Sequence, residues 1–288
     1  MSKPNILLIG GDLRFYHAAR ILKEKEYQVD CFLVPKCSSS DASLRTLKEK
    51  ILSSEILIAP IPFSKDNIHL NTSNEFQNIK IEITDFLSCL TSKNTIIGTG
   101  FDTDITSFLY ANYIRYVDIC QDKCFVYKNS ILTAEGLIKY IIDTTPFSIN
   151  GSKTLILGYG SCGSAIASLM RSLGSDVTIY NRNPYYDCIA TTKGFKTLSR
   201  LTADNSLSDF EIIINTIPAI LFDISHYNQL KKDPYFYEIA SGDGGFSKDI
   251  YALAGERIKK LPGIPGKTAP QSAAYAICKI VEEVCNES

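Results

Sequence analysis

The sequence of 288 residues is poor in histidine and contains no tryptophan. Its three histidines, His17, His69 and His226, do not cluster with any pair of cysteines. The nine cysteines are an odd number, and none has the Cys-x-x-Cys spacing of many metal sites and redox motifs. A disulfide framework is therefore disfavoured, and for Cys120 and Cys124 small buried thiols are favoured over metal ligands. The sequence predicts no metal site.

An excess of one charge and long apolar runs are also lacking. The formal net charge is -1, with 45% hydrophobic and 21% charged residues. A nearly neutral chain has no electric field to attract nucleic acid or an anionic membrane surface. No apolar run approaches membrane-spanning length, and the apolar strand after Asn5 is too short for the core of a signal peptide. We expect a cytoplasmic protein without nucleic-acid or membrane partners.

The most informative motif that is present lies in the middle of the chain. An apolar strand at 154–157 leads into Gly-x-Gly-x-x-Gly and an amphipathic helix, and a second strand follows at 176–181. In this motif the first glycine permits a tight turn, the second lets a pyrophosphate approach the backbone, and the third lets helix pack on strand. A glycine turn between packed elements is the alternative. The predicted dinucleotide contacts are Gly158, Gly160, Ser161, Cys162 and Gly163.

The end of the second strand bears on which nucleotide binds. Many NAD sites carry an acid here to hold the ribose hydroxyls, whereas this chain has Asn181 and Arg182. Arginine attracts the 2′-phosphate that a carboxylate would repel, so the pattern favours NADP over NAD. A merely solubilising arginine is the alternative. Thr216, Ile217 and Pro218 follow a later strand and are expected beside the nicotinamide or its ribose, unless the proline simply ends that strand.

Strands and helices alternate along the chain, which predicts parallel sheets. In the first half, strands are expected at 5–10, 29–34, 55–59, 95–98 and 115–119. Helices are expected between them, at 13–24, 43–52, 83–90 and 104–112, with 64–82 as an exposed excursion. In the second half, the expected strands are at 211–215, 235–240 and 257–260, with helices at 129–142 and 271–284.

These elements predict an α/β fold of two Rossmann-like parallel-sheet domains, joined by bridging helices and separated by a cleft. Residues 1–130 are expected to form a flavodoxin-like or Rossmann-like substrate domain. Residues 131–148 are the predicted bridging helix, and 149–265 the predicted NADP-binding domain. The last segment, 266–288, is expected to pack back toward the N-terminal domain.

Three prolines and two glycines between positions 261 and 270 predict a rigid loop before the last helix. Its place at a strand end makes it a candidate wall of the cleft. Lys267, Gln271 and Ser272 are then available to hold an anionic substrate. A plain connection between domains is the alternative.

Four segments, taken in order, resemble the A subunit of dipicolinate synthase. They are Gly10-Gly11-Asp12-Leu13-Arg14, Thr133-Ala134-Glu135-Gly136, Asn215-Thr216-Ile217-Pro218, and Leu261-Pro262-Gly263-Ile264-Pro265-Gly266 with Ala269-Pro270. The resemblance spans nearly the whole chain. It implies a two-domain, NADP-linked dehydrogenase in the mother cell of a sporulating bacterium. With a flavoprotein-like B subunit, it would convert dihydrodipicolinate to dipicolinate; a homo-oligomer is left open.

Such a reaction removes a hydride and a proton from a small cyclic dicarboxylate. Arg14 is the expected carboxylate clamp because its planar guanidinium matches a carboxylate, with a surface arginine as the alternative. Free backbone donors near Thr133 and Ala134, at the start of the bridging helix, are expected to take the second carboxylate. Glu135 is a candidate base or only a favourable charge at a helix start. For Asp12, two roles stay open: capping the first helix and contacting the substrate.

Two positions depart from the family pattern. Asp243 stands where the family tends to have proline, and Gln271 where a basic residue is expected, which leaves open whether Lys267 binds the carboxylate instead. Another two-domain NAD(P)-dependent dehydrogenase would need a histidine or lysine acid that we do not identify. A methyltransferase normally has an acid at the end of the second strand, so Asn181 and Arg182 disfavour it. A non-catalytic nucleotide-binding subunit stays open.

Overall fold

The computed structural model describes residues 3–37, 42–198, 200–201, 207, 209–242 and 244–287. The chain divides into two compact units. One is formed by Met1–Asn129 together with Gly266–Ser288, and the other by Ser130–Pro265. The first unit therefore contains both ends of the chain, whereas the second is one continuous segment.

The described strands and helices alternate along the chain. The strands are β1 (Asn5–Ile9), β2 (Gln28–Phe32), β3 (Ile56–Ile58), β4 (Thr95–Gly98), β5 (Arg115–Asp118), β6 (Lys153–Leu157), β7 (Asp176–Tyr180), β8 (Lys196–Leu198), β9 (Ile212–Asn215), β10 (Tyr235–Glu238) and β11 (Ile258–Lys260). The helices are α1 (Leu13–Glu24), α2 (Leu44–Leu52), α3 (Ile83–Ser88), α4 (Thr103–Ala111), α5 (Lys123–Thr144), α6 (Ser161–Ser172), α7 (Pro184–Thr192), α8 (Ile224–Tyr227), α9 (Lys248–Ala254), α10 (Ile264–Thr268) and α11 (Pro270–Asn286).

The first unit is built on a parallel sheet with the strand order β2-β1-β3-β4-β5. Both faces of this sheet are covered, so β1 reads as a continuous apolar run and its residues 6–9 are all buried. On one face α1 packs against α11, and Phe15 and Leu22 of α1 share an apolar cluster with Ile277 and Val281 of α11. The C-terminal helix thus completes the core of this unit.

The second unit has a parallel sheet with the order β11-β10-β9-β6-β7-β8. Numbered from β6, this is the order 3-2-1-4-5-6 of the doubly wound dinucleotide-binding fold. Two apolar clusters cover its faces, one with Ile156, Ile166 and Ile214, the other with Leu155 and Phe236. The predicted α/β class with two parallel-sheet domains is confirmed.

The predicted strands lie within two residues of the observed ones, but several other expectations are wrong. The bridging helix begins at Lys123 rather than near 129, because Asp122 accepts the backbone N–H groups of Phe125 and Val126 through its side chain and its carbonyl. Residues 64–82 are not simply an exposed excursion, since Leu70 and Ile81 are buried and joined by a backbone hydrogen bond.

Within 261–270, the structure has the short helix α10 where the sequence predicts a rigid loop. The sequence prediction also missed α7, β8, α8 and α9. α7 begins with Pro184, and the preceding Asn183 caps it by accepting the N–H of Tyr185. Of the helices in the described part of the chain, none is both long and apolar enough to span a lipid bilayer.

Candidate functional site

The strand order of the second unit reverses between β6 and β9, the position at which open α/β sheets bind ligands. β6 ends at Leu157 and runs into the glycine motif, while β9 ends at Asn215 and runs into Thr216. The Thr216 hydroxyl donates a hydrogen bond to the Leu157 carbonyl at 2.9 Å. The structure therefore brings the glycine motif together with the predicted cofactor contacts at 216–218.

Each glycine of the motif has its own steric reason. Gly158 has φ 104°, and a Cβ there would lie 2.2 Å from Thr216 Oγ1. A Cβ on Gly163 would lie 2.2 Å from the Gly158 carbonyl oxygen, so this glycine lets α6 pack on the turn. At Gly160, by contrast, no heavy atom lies within 4 Å of the Cβ position. Open space at the N-terminus of α6 fits a pyrophosphate.

Ser161 and Cys162 form the first turn of α6. Ser161 is exposed, while Cys162 is half-buried and its thiol lies 3.8 Å from the Ser130 hydroxyl of α5. Burial raises the pKa of the Cys162 thiol, and hydrogen bonds with Ser130 and Thr133 oppose that rise. Thr133, which the sequence placed on the substrate side, thus lies beside the glycine motif.

β7 ends at Tyr180 and is followed by residues that carry no acid. Asn181 is half-buried, and its side-chain oxygen accepts the backbone N–H of Asn183 at 2.8 Å. Arg182 is exposed. The turn therefore presents a cation at the position where a carboxylate would select NAD.

Sequence reasoning missed a buried carboxylate at the same sheet edge. Glu238 ends β10 and has no solvent exposure. It accepts hydrogen bonds from the Asn215 side-chain amide at 2.8 Å, the backbone of Ala240 at 2.9 Å and the backbone of Gly245 at 2.6 Å. Burial raises the pKa of Glu238, and these hydrogen bonds oppose that rise. The available signal was a glutamate that ends an apolar strand shortly before two adjacent glycines.

In the first unit, the strand order reverses between β1 and β3, and Arg14 lies in the segment after β1. Arg14 is only 6% exposed, so the alternative of a surface arginine is wrong. Its Nε and Nη2 donate to the Asp12 carboxylate at 2.9 Å each, and Nη2 also donates to the Ile61 carbonyl at 2.7 Å. Asp12 caps α1 by accepting the backbone N–H of Arg14, and therefore holds the guanidinium as well as the helix.

Gly266 lies against this charged pair. A Cβ at Gly266 would be 2.4 Å from Asp12 Oδ2 and 3.0 Å from Arg14 Nε. The segment that carries Lys267, Gln271 and Ser272, all exposed, therefore starts beside Arg14, although no contact of those three side chains with the pair is recorded. Their roles as substrate contacts stay predictions.

The expected backbone donors at Thr133 and Ala134 are wrong. α5 begins ten residues before Thr133, so the N–H groups at 133 and 134 lie within the helix, where they bond to carbonyls four residues earlier. Both side chains are buried. Glu135 is exposed in the middle of α5, which also removes its alternative role at a helix start. Its role as a base stays a prediction.

In the described ranges, no group of three or more histidine, cysteine or acidic side chains is placed to hold a metal ion. All nine cysteines are free thiols. Asp243, the predicted departure from the family pattern, lies outside the described residues, whereas Gln271 is exposed in the first turn of α11.

A doubly wound sheet with a glycine turn at its reversal point, in a chain with a second parallel sheet, defines a dehydrogenase-like class of fold. The fold of D-lactate dehydrogenase from Escherichia coli is similar, with a TM-score of 0.62 and 10% identity, over 98% of this chain and 96% of that one. This likeness concerns the fold alone.

Other comparisons match the chain more closely. Residues 5–120 match the family model of the N-terminal domain of the dipicolinate synthase A subunit. Over 286 residues the chain is 25% identical to the dipicolinate synthase A subunit of Bacillus subtilis, covering 98% of this chain and 96% of the relative. The crystal structure of the dipicolinate synthase A subunit from Bacillus halodurans has a TM-score of 0.80 and 21% identity, over 98% and 97% of the two chains. The resemblance to the A subunit of dipicolinate synthase is confirmed.

Proposed function

We propose that this chain is the A subunit of a dipicolinate synthase and oxidises dihydrodipicolinate to dipicolinate, with NADP as the hydride acceptor. The observation that carries the proposal is the glycine motif. Its three glycines have the geometry of a dinucleotide-binding turn, in a chain similar along nearly its whole length to a dipicolinate synthase A subunit. Arg182 after β7 supports NADP over NAD.

On the nucleotide side, the chain supplies space and backbone donors. The open position at Gly160 leaves room for the pyrophosphate, and the backbone N–H groups of Ser161 and Cys162 begin α6. The segment 216–218 would hold the nicotinamide half. The bound nucleotide supplies a ring that accepts a hydride, so the task of these residues is to hold and orient it.

On the substrate side, Arg14 supplies a cation whose orientation is set in advance. Asp12 and the Ile61 carbonyl hold its Nε and Nη2, which fixes the plane of the guanidinium. A guanidinium whose orientation is already fixed loses less entropy when it binds a carboxylate. Lys267, Gln271 and Ser272 are the proposed groups for the second carboxylate.

The chemistry requires little acid-base strength. Bound NADP would supply the hydride acceptor, so the oxidation would remove a hydride from one ring carbon and a proton from the neighbouring ring atom of dihydrodipicolinate, which gives the aromatic pyridine. Glu135 is the proposed proton acceptor because Arg14 engages both carboxylate oxygens of Asp12. Holding the ring against the nicotinamide then matters more than the strength of the base.

The name of the relative, an A subunit, supports the proposal of a B subunit as partner. We further propose that the two act in the cytoplasm of a sporulating mother cell. A calorimetric titration with NADP and with NAD, followed by freshly made dihydrodipicolinate, tests the function. We expect tighter binding of NADP and a rise in reduced-cofactor absorbance, measured with and without the B subunit.

Absence of nucleotide binding would overturn the proposed function. Binding without turnover in either condition would favour a non-catalytic nucleotide-binding subunit. Turnover of a hydroxy acid in place of dihydrodipicolinate would identify a different two-domain dehydrogenase.

A further inference from the structure

We infer that Glu238 is a positioning residue for the nicotinamide half of the nucleotide, acting through Asn215. The inference rests on the proposed function, because it concerns the same nucleotide site. Glu238 and Asn215 end neighbouring strands and are directly paired across them, at the edge where the glycine motif also lies.

Asn215 connects Glu238 to the proposed nicotinamide segment. Its side-chain nitrogen donates to Glu238 Oε1 at 2.8 Å and to the Ile217 carbonyl at 2.8 Å. Its side-chain oxygen accepts the backbone N–H of Ile217 at 3.2 Å. One amide therefore holds both backbone polar groups of Ile217, and Glu238 fixes the orientation of that amide.

Glu238 also gathers the loop after its own strand. Its Oε1 accepts the backbone N–H of Ala240, and its Oε2 accepts that of Gly245. A Cβ on Gly244 would lie 2.5 Å from Glu238 Oε2, and one on Gly245 would lie 2.4 Å from the Asn215 nitrogen. The two glycines thus let the loop close directly on the Glu238 and Asn215 side chains.

The hydrogen-bond partners of Glu238 require a side chain that only accepts hydrogen bonds. The amide of Asn215 and the backbone N–H groups around Glu238 are all donors, and a carboxylate accepts at both oxygens. A glutamine has nearly the same shape, but its NH₂ would face a donor whichever way the amide turned. These hydrogen bonds join Asn215 at the end of β9 to the loop after β10, so the substitution should disturb the edge of the sheet that binds the nucleotide.

The test compares Glu238→Gln with a matched control, Glu211→Gln. Glu211 immediately precedes β9, at the end of that strand opposite to Asn215, and accepts the backbone N–H of Lys153 at 3.1 Å. Affinity is measured for NADPH, by its fluorescence, and for adenosine 2′,5′-bisphosphate, which lacks the nicotinamide half, by calorimetry. We expect E238Q to weaken NADPH binding about tenfold and to change bisphosphate binding less than about twofold. E211Q should leave both affinities unchanged.

A second variant keeps the test decisive should E238Q not fold. Gly245 is not in the left-handed region, so Gly245→Ala adds only a methyl group that pushes on Asn215 while Glu238 stays intact. It should show the same loss for NADPH alone. Equal losses for both ligands, or NADPH binding at the wild-type level, would overturn the inference while the proposed function stands. A wild-type protein that binds neither ligand would overturn both.

Discussion

Arg14 and Glu238 are buried charges that the loops at the carboxyl edges of the two sheets hold in place. Arg14 is bound by Asp12 and by the carbonyl of Ile61, whereas Glu238 is bound by an amide and by backbone N–H groups. A buried charge is costly unless it is paired or hydrogen-bonded, and removing one partner leaves the other unsatisfied. Single substitutions of Arg14 or Glu238 should therefore change ligand binding more than substitutions of exposed residues do.

Replacing Arg14 tests the proposed carboxylate clamp. Arg14→Leu should raise the KM for dihydrodipicolinate at least about tenfold, because the charged donor proposed to hold the substrate carboxylate is lost. The Kd for NADP should stay within about twofold, since Arg14 is not part of the predicted nucleotide contacts. Arg14→Lys should recover only part of the loss, because lysine lacks the planar fork. Arg20→Leu, on the exposed face of α1, is the matched control and should leave the KM unchanged. An unchanged KM in the Arg14 variants would refute the role of Arg14 as a carboxylate clamp.

Arg182 is the residue on which the preference for NADP depends. Arg182→Asp should weaken NADP binding by about tenfold or more and spare NAD, because the new carboxylate repels only the 2′-phosphate. Calorimetry with the two nucleotides measures the difference. Lys193→Asp makes a similar change of charge at the exposed C-terminal end of α7 and should alter neither affinity. Equal losses of NADP and NAD in Arg182→Asp would show that the phosphate contact is misassigned.

At the scale of elements, the described strands other than β8 could be predicted well, whereas the start of α5 could not. β1 and β9 are nearly continuous apolar runs, as expected for strands covered on both faces of a parallel sheet. The first turns of α5 place a short apolar run, Phe125 to Tyr127, between polar residues, without the spacing of an amphipathic helix. Periodicity alone therefore misses them, and only the cap at Asp122 marks the true start. That error misplaced the backbone donors at Thr133 and Ala134.

The strand-turn-helix unit of the glycine motif makes a sharper prediction. Gly163→Ala should lower the free energy of unfolding by about 1–3 kcal/mol, because its Cβ would meet the Gly158 carbonyl at 2.2 Å. Gly160→Ala should change that free energy by less than about 0.5 kcal/mol, since its Cβ would enter open space.

In nucleotide binding, Gly160→Ala should be the variant with the larger effect. Gly160→Ala should cost about tenfold or more in NADP affinity, because the methyl group would occupy the space proposed for the pyrophosphate. Urea unfolding and calorimetry measure the two effects. Full NADP affinity in Gly160→Ala would place the pyrophosphate elsewhere.

At the scale of the whole molecule, the site residues that sequence reasoning missed or misjudged depend on distant parts of the chain. The close approach of Gly266, about 250 residues after Arg14 in the chain, is visible only in the fold. Arginine is usually exposed, so the sequence left a surface role for Arg14 open. Glu238 likewise acts on Asn215, a residue of another strand. The glycine motif is local, and this explains why its geometry followed from the sequence.

The return of the chain end to the first unit predicts how a truncated chain behaves. Ending the chain at Pro265 removes α11, whose Ile277, Ile280, Val281 and Val284 are buried. At about 1.5–3 kcal/mol for each large aliphatic side chain, this loss is comparable with the whole stability of a domain, about 5–15 kcal/mol. The strands β1 to β5 should therefore lose hydrogen-exchange protection. The second unit is one continuous segment with its own core, so β6 to β11 should keep their protection. This unit should bind NADPH with an affinity within about threefold of that of the full chain. Tyr275→Ala, at an exposed position of α11, is the control and should change neither the hydrogen-exchange protection nor the NADPH affinity. Retained protection of β1 in the truncated chain would refute the dependence of the first unit on α11.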